Sequence, residues 1–276
     1  MIQRAINILQ SRGVPGLLRA ARVRIRGLLA KPSALFVTHQ NAFAGRSGIE
    51  IGGPSRAFSR GGVFPVYPIV GNLDNCNFRP STAWEKNLRQ GRIFEFDPRK
   101  PAGMQYLAEA TALSELPSGA YDFVLSSHML EHTANPILAL LEWKRLLADG
   151  GTLVLLLPDK HHTFDHRRPL TTLEHLIGDF NAGRGEDDLT HLPEILALHD
   201  LELDPDAGDM EVFKARSLRN VENRCLHHHV FGLRLARELV EHAGLKVHAV
   251  EEHGPHHILL LAQKTLVIRD RQPDHS

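Results

Sequence analysis

The sequence is poor in features that would point to several protein classes. Only two cysteines occur among its 276 residues, Cys76 and Cys225, and they form no C-x-x-C pair. A disulfide framework and a thiolate zinc site are therefore unsupported, and the low count fits a reducing compartment. No apolar run reaches about 18 residues, so we expect no transmembrane span. We expect a cytoplasmic protein.

Net charge is absent as well, because 32 basic residues balance 32 acidic ones. No global basicity argues for a nucleic-acid partner. The charge is uneven, however, since no acidic residue precedes Glu50 while eight lysines and arginines do. Residues 1–31 are predicted as two basic helical pieces, broken near Gly13. Their basic face either is solvated on the protein body, which we favour, or contacts an anionic membrane peripherally at its inner face.

Residues 121–160 predict a strand, a helix and a second strand in succession. The apolar run Tyr121–Val124 suits a short buried strand, and Leu153–Leu157 is apolar on both faces. Asn135 followed by Pro136 is a typical helix start, because the asparagine accepts bonds from unpaired amides and proline tolerates the first helical position. We therefore predict an α/β fold with a doubly wound, mainly parallel sheet.

Glycines directly follow a second apolar run in Ser47–Ser55, SGIEIGGPS. Such a strand lets the backbone approach a ligand at the carboxyl edge of a parallel sheet. Neither a G-x-G-x-x-G fingerprint nor the G-K-S/T of a Walker loop is present. Asp74 lies 22 residues after Gly52, about where an acidic side chain at the second strand's tip meets ribose hydroxyls. An ordinary turn aspartate is the alternative.

Three stretches resemble the class I S-adenosylmethionine-dependent methyltransferases in order and spacing. They are GIEIGGPS, EATALSELPSGAYDFVLSSHMLEH and ANPILALLEWKRLLADGGTLVLLLPD, and the likeness covers about residues 47–160 plus the tail. It implies a Rossmann-like fold, S-adenosyl-L-methionine as cofactor and methyl transfer as the reaction. Beyond these, PDKHHTFDHRRPLTTLEHL and RCLHHHVF resemble a bacterial branch encountered beside glycan-assembly enzymes.

The resemblance assigns the glycine loop to the cofactor. Glu50 would support the loop or the amino-acid end of S-adenosylmethionine, and Gly52 and Gly53 would make room for it. Pro54 and Arg56 stand where the family has further glycines. This departure leaves open a non-catalytic, methyltransferase-like binding or scaffold protein.

The resemblance also implies cofactor contacts after three further strands. Asp74 would take the ribose hydroxyls, and Glu109 and Ala110 would flank the adenine, with Glu109 in the place usually held by aspartate. Ser127 and His128 would lie near the methionine moiety, just past the fourth strand.

Four segments are predicted along the chain. They are a basic helical arm, an S-adenosylmethionine-binding core, a helical cap insertion, and the last helix with the closing strands: residues 1–46, 47–159, 160–226 and 227–276. An insertion after the fifth strand starts at the ligand-binding edge, so we assign the cap to substrate binding.

The candidate catalytic set lies at the start of the cap. O-methylation requires removal of a hydroxyl proton, and an Asp–His pair suits that task near neutral pH. Asp165 with His166 or His162 is the predicted set. An ion pair of Asp165 with Arg167 or Arg168 is the alternative.

Residues 227–229 are three consecutive histidines, and imidazoles could ligate a metal together with Asp165 or His166. Neighbouring side chains in a strand alternate faces, and no H-E-x-x-H motif is present, so we assign no metal ligands. The predicted function is O-methylation of a sugar or glycolipid-type acceptor, with a small molecule or glycan as partner. A metal-dependent hydrolase that uses the histidine-rich cap is the second alternative.

Overall fold

The computed structural model describes residues 31–82, 85, 87–254 and 257–266, which form one eight-stranded sheet with helices. The strands are β1 (Ser47–Ile51), β2 (Asn72–Asn77), β3 (Gly91–Phe94), β4 (Gly103–Leu107), β5 (Tyr121–Ser127), β6 (Leu147–Pro158), β7 (Lys246–His253) and β8 (His257–Gln263). Their spatial order is β3-β4-β2-β1-β5-β6-β8-β7. β1, β2, β4, β5 and β6 are parallel, while β3, β8 and β7 pair antiparallel. The predicted Rossmann-like, mainly parallel α/β fold is confirmed.

The described helices are α1 (Ala34–His39), α2 (Pro136–Leu146), α3 (Leu173–Asn181), α4 (Leu192–Leu198), α5 (Met210–Ser217), α6 (Asn220–Asn223) and α7 (Leu233–His242). Short 3-10 helices cover Gln40–Ala42, Leu130–His132, Lys160–His162 and Pro205–Ala207. The predicted start of α2 is confirmed, because Asn135 Oδ1 accepts the Leu138 amide at 3.1 Å. None of the described helices has the length and apolar character of a membrane span.

The two faces of the sheet are covered differently. On one face, α2, α3 and α7 pack their apolar residues against the strands, with Trp143 and Leu239 fully buried. On the other face, α1 and the turns of residues 52–71 carry a cluster of aromatic rings. Phe43 lies at its centre, 5.4 Å from the rings of both Phe64 and Phe123. Edge-to-face rings thus replace the helix that usually follows the first strand of such a sheet.

The carboxyl ends of the parallel strands lie along one edge of the sheet. The strand order reverses between β1 and β5, and ligands of open α/β sheets bind beside such a switch point. β6 ends at the same edge, and residues 160–226 continue from it as α3 to α6. This segment has a small apolar core of its own around Ile195 and Phe213. The cap therefore begins next to the switch point.

Several elements differ from the sequence-based expectation. β3 lies within residues 77–103, a polar, proline-punctuated stretch in which the sequence pattern indicates no strand. β4 ends at Leu107, whereas the sequence pattern places the end of that strand near residues 109–111. β2 continues to Asn77 because its side-chain amides find hydrogen-bond partners inside the sheet. The Asn75 side chain donates to Gln105 Oε1 at 2.9 Å, and the Gln105 side chain donates to Asn77 Oδ1 at 3.0 Å. Of the predicted arm, residues 1–30 lie outside the described residues.

Candidate functional site

The loop after β1 turns so tightly that it requires two glycines. Gly52 has φ of +86°, and a Cβ there would lie 2.7 Å from Cγ of Met129. A Cβ on Gly53 would lie 2.3 Å from Cδ of Glu50. The main chain can therefore pass between β2 and the end of β5 only with glycine at both positions. This brings the predicted loop residues to the switch point.

Side chains of β2 fix the shape of this loop. Asn75 Oδ1 accepts the Gly53 amide at 3.0 Å, and the amide groups of Asn75 and Asn77 both donate to the Gly53 carbonyl at 3.1 Å. The family has further glycines where Pro54 and Arg56 stand here. Hydrogen bonds from buried asparagines hold the turn in this chain, with fewer glycines.

Glu50 lies beneath the loop and is fully buried. Its Oε1 accepts the Ser55 amide at 2.9 Å, and its Oε2 accepts the hydroxyl of Tyr67. Burial raises the pKa of Glu50 to about 8, although both hydrogen bonds oppose that shift. Glu50 thus occupies the loop-supporting position, one of the two roles that the resemblance implied.

The position of Asp74 corrects the predicted ribose contact. Asp74 lies in the middle of β2, beside Ile49 of β1, and accepts the Met104 amide at 2.9 Å and the Tyr121 hydroxyl at 3.0 Å. These bonds tie three strands together away from the carboxyl edge. Asn77 is the last residue of β2. The sequence pattern missed it because a polar run does not read as a buried strand.

The predicted adenine residues follow β4 at the same edge. Glu109 borders a pocket of about 210 Å³, lined also by Leu107 and residues 112–116. Its Oε1 accepts a bond of 2.6 Å from Nη2 of Arg224, which belongs to the cap. The carbonyl of Ala110 accepts the Trp143 indole N–H at 3.1 Å, so Ala110 joins the core of α2.

The Arg224 guanidinium also covers the tip of β2. Its Cζ lies 5.0 Å from the ring centroid of Phe78, and Nη1 lies 3.6 Å from Glu186 Oε2. Sequence reasoning did not single out Arg224. The cap thereby closes over the ends of β2 and β4, beside the pocket.

Ser127 ends β5 and His128 directly follows it, next to the glycine loop. His128 has φ of +50° and its Nε2 lies 2.7 Å from Nδ1 of His257. The following residue, Met129, faces Gly52. Glu131 lies two residues after Met129 and is almost fully buried, and this burial raises its pKa to about 7. Its Oε1 lies 3.8 Å from His128 Nδ1, so a carboxyl group and an imidazole meet at the switch point.

The predicted catalytic set is corrected in its partners. Asp165 is buried and contacts neither His166 nor His162; its Oδ2 lies 2.5 Å from Nδ1 of His227. His166 points to another side, with Nε2 2.8 Å from Asp200 Oδ2, and His162 lies on an exposed 3-10 helix. Adjacent residues project in different directions here, so sequence neighbours do not form the pair.

Arg168 holds the buried carboxylate. Its Nη1 lies 2.9 Å from Asp165 Oδ1 and also donates to the His227 carbonyl at 2.8 Å, while Nη2 donates to the His228 carbonyl at 3.2 Å. Burial opposes ionisation of Asp165, but His227 and Arg168 outweigh it and lower the pKa of Asp165. The predicted alternative, an Asp165–Arg168 ion pair, is therefore present together with the histidine contact.

Aromatic rings and carboxyl groups surround the side chain of His227. The His132 and Phe164 rings lie 4.5 Å and 4.7 Å from its own. Burial would lower the pKa of His227, but the Asp165 carboxylate, helped by Glu131, raises it. The Asp165 carboxylate contacts Nδ1 and not Nε2 of His227. A carboxylate that holds one ring nitrogen of a histidine is an arrangement typical of a general base. No sequence pattern links residues 62 positions apart, so only the structure identifies the pair.

The other two consecutive histidines face different partners. His228 Nε2 lies 3.0 Å from the Asn220 amide, and His229 Nε2 lies 3.2 Å from the Ala134 carbonyl. Both are almost fully buried, and burial lowers the pKa of each. The triplet therefore does not converge on a single ion.

Comparison with known families gives one match over most of the chain. The profile of a family described as methyltransferase domain matches residues 28–250. None of the curated proteins compared with this chain matches it significantly. The family assignment therefore rests on the sequence profile.

Solved structures with a similar fold come from several organisms. An S-adenosylmethionine-dependent methyltransferase from Mesorhizobium loti is 14% identical over 83% of this chain and 95% of its own, with a TM-score of 0.48. One from Aquifex aeolicus is 14% identical over 88% of this chain and 98% of its own, with a TM-score of 0.42. One from Methanosarcina mazei is 14% identical over 84% and 98%, with a TM-score of 0.43.

Proposed function

Because the chain belongs to the methyltransferase domain family, we propose that it uses S-adenosyl-L-methionine to methylate a hydroxyl oxygen of a sugar or glycolipid-type acceptor. When bound, this cofactor supplies an electrophilic methyl group. The observation that carries the choice of oxygen is the buried Asp165–His227 pair, because a hydroxyl acceptor needs a base to take its proton.

The residues at the carboxyl edge fit this cofactor. A side chain at Gly52 would clash with Met129. Glycine at such a position is expected where the main chain approaches a ligand closely. The pocket beside Glu109 can receive a planar base, and His128 directly follows β5 between the loop and Glu131. Glu50, Gly52, Gly53, Glu109, Ala110, Ser127 and His128 remain the residues proposed to hold it, with Asn77 in the place predicted for Asp74.

In this proposal His227 Nε2 accepts the hydroxyl proton of the acceptor, which makes the oxygen a better nucleophile. Asp165 holds the ring by its Nδ1 and stabilises the imidazolium that forms. Arg168 keeps the carboxylate ionised and oriented. Asp165 and His227 are therefore the proposed catalytic pair, and neither His166 nor His162 takes part.

The class of the acceptor is argued from the start of the cap. His161 and Arg167 are largely exposed on the segment that leads from β6 to Asp165. Imidazole and guanidinium groups donate hydrogen bonds to hydroxyls and phosphates, which sugars and glycolipids carry. A glycolipid acceptor would also agree with cytoplasmic location and peripheral membrane contact through residues 1–31, which stay predictions. Flotation of full-length protein with anionic liposomes, beside a variant with Arg22, Arg24 and Arg26 changed to Gln, tests that contact.

Methyl-transfer assays with radiolabelled cofactor and a panel of sugar and glycolipid acceptors test the function. We expect His227→Gln and Asp165→Asn to lower kcat by roughly 100-fold or more, with binding of S-adenosylhomocysteine retained. His166→Gln is the matched control, because its ring faces Asp200, and it should keep most of the activity. Equal rates for His227→Gln and the unaltered protein would contradict the proposal that His227 is the general base. Cofactor binding without transfer to any hydroxyl acceptor would overturn O-methylation.

A further inference from the structure

Four side chains from three parts of the chain converge where the cap meets the segment that precedes α7. His175 and Asp179 lie on one face of α3, four residues apart. His191 immediately precedes α4, and His229 lies in the extended segment before α7. Each offers one nitrogen or oxygen ligand atom, and these four atoms lie within 4.8 Å of one another.

The distances surround a single point. Asp179 Oδ2 lies 3.2 Å from His175 Nε2 and 3.9 Å from Nε2 of both His191 and His229. The two Nε2 atoms of His175 and His191 are 2.7 Å apart. Ligand atoms of a tetrahedral zinc site are about 3.3 Å apart, because zinc–nitrogen bonds are about 2.0 Å long. The observed separations lie on both sides of that value.

Burial supports a ligand at this point. Asp179 is largely buried, yet its Oδ2 accepts no hydrogen bond from any residue that the structure describes. A buried carboxylate oxygen without a donor is costly, and a cation is one way to satisfy it. Asp188 Oδ2 lies 3.5 Å from the other nitrogen of His191, Nδ1. A carboxylate behind a ligating imidazole is common at metal sites.

We propose that His175, Asp179, His191 and His229 bind one divalent transition-metal ion, with zinc as the best match to three imidazoles and one carboxylate. His229 Nε2 then ligates the ion and no longer faces the Ala134 carbonyl. The half-exposed His175 leaves a path for entry from solvent.

Four protein ligands fill a tetrahedral site and leave no position for a reacting water, so the ion acts structurally. It joins α3, the start of α4 and the segment of His229. That segment also contains His227, so the ion fixes the backbone from which the proposed base projects. This role differs from the hydrolase alternative, which needs an open coordination position.

Metal titration of the full-length protein, first stripped with a chelator, tests the proposal independently of methyl transfer. With Zn²⁺ or Co²⁺ alone we expect about one equivalent bound, and strong visible absorption from tetrahedral Co²⁺. The double variant His175→Ala/His191→Ala should lose the bound ion and the absorption. Its matched control is His242→Ala, which removes an exposed histidine at the end of α7 and should bind as the unaltered protein does.

Two further variants keep the test decisive if the double variant does not fold. Asp179→Asn preserves the shape of the side chain and should weaken Co²⁺ binding at least about tenfold. His132→Gln alters a second cluster, formed by Glu131, His132 and His227, and should leave metal binding unchanged. Unaltered protein without bound Zn²⁺ or Co²⁺, or loss of the ion in His132→Gln but not in Asp179→Asn, would overturn the proposal.

Discussion

The carboxyl edge of the sheet and the cap both bring polar groups together, but they do so by different means. At the edge, Gly52, Glu109 and His128 follow the ends of parallel strands of one sheet, so the sheet alone places them along the same edge. Asp165 of the cap, by contrast, contacts His227 of the following segment, 62 residues later in the chain, and no repeating sequence pattern imposes that contact. The residues at an edge of a sheet can therefore be predicted from the strand ends alone, whereas the contacts within a cap are known only from the structure.

The cap should be the more sensitive region to loss of a single charge. Arg168→Met removes one of the two partners of the buried Asp165 carboxylate, the other being His227, and two bonds to main-chain carbonyls. We therefore expect a loss of about 3 to 5 kcal/mol in the free energy of unfolding. Chemical denaturation measures it. Arg167→Met is the control, since that half-exposed ion pair with Asp200 contributes at most about 1 kcal/mol. Equal losses would show that the buried pair has no special weight.

At the carboxyl edge, substitution of a buried asparagine of β2 tests what holds the glycine loop. Asn75→Ala leaves the Gly53 amide without its acceptor and removes one donor to the Gly53 carbonyl. We expect a loss of about 2 kcal/mol in the free energy of unfolding.

Asn72→Ala in the same strand is the comparison for that experiment. Its partly exposed side-chain amide donates to Asp74 Oδ1 at 3.1 Å and, among the residues that the structure describes, to no other side chain. We expect a loss below about 1 kcal/mol from thermal or chemical unfolding. A loss as large as that of Asn75→Ala would mean that the loop is not held by β2.

A separate expected effect is the pH dependence of stability that comes from Glu50. Its pKa is about 8 in the folded protein against an ordinary 4.5, so the folded state holds a proton that the unfolded chain releases between these values. The stability from that proton is complete below pH 4.5 and is lost as the pH rises through 8. Glu50→Gln should reduce the decline in melting temperature between pH 5 and pH 8. An unchanged decline would mean that Glu50 is ionised throughout.

The sequence predicted the sheet well because its strands are apolar on both faces and its helices start with recognisable caps. The expected α2 start, the helix Leu233–His242 and the two closing strands are all present. β2 was placed too early because Asn75 and Asn77 look like loop residues until their hydrogen-bond partners are known. As a result, Asp74 was predicted at the carboxyl edge of the sheet, whereas it lies in the middle of β2.

The contacts made by residues 160–226 could not be predicted from the sequence. The sequence analysis sought the partner of Asp165 among its sequence neighbours His162 and His166, whereas the structure pairs Asp165 with His227. The set of His175, Asp179 and His191 left only a weak signal in the sequence, a histidine and an aspartate four residues apart in what the structure shows as α3. Spacing within one helix does not reveal which distant residue completes a site.

Calorimetric titration of the full-length protein with S-adenosylhomocysteine, beside Gly52→Arg, tests the central claim that the carboxyl edge binds the methyl donor. We expect micromolar affinity, which corresponds to roughly 8 kcal/mol, and its loss in the variant, because a side chain at Gly52 would meet Met129. Gly183→Arg, another glycine with positive φ but with open space around it, should bind normally. A folded protein that gives neither heat nor a thermal shift would contradict the account.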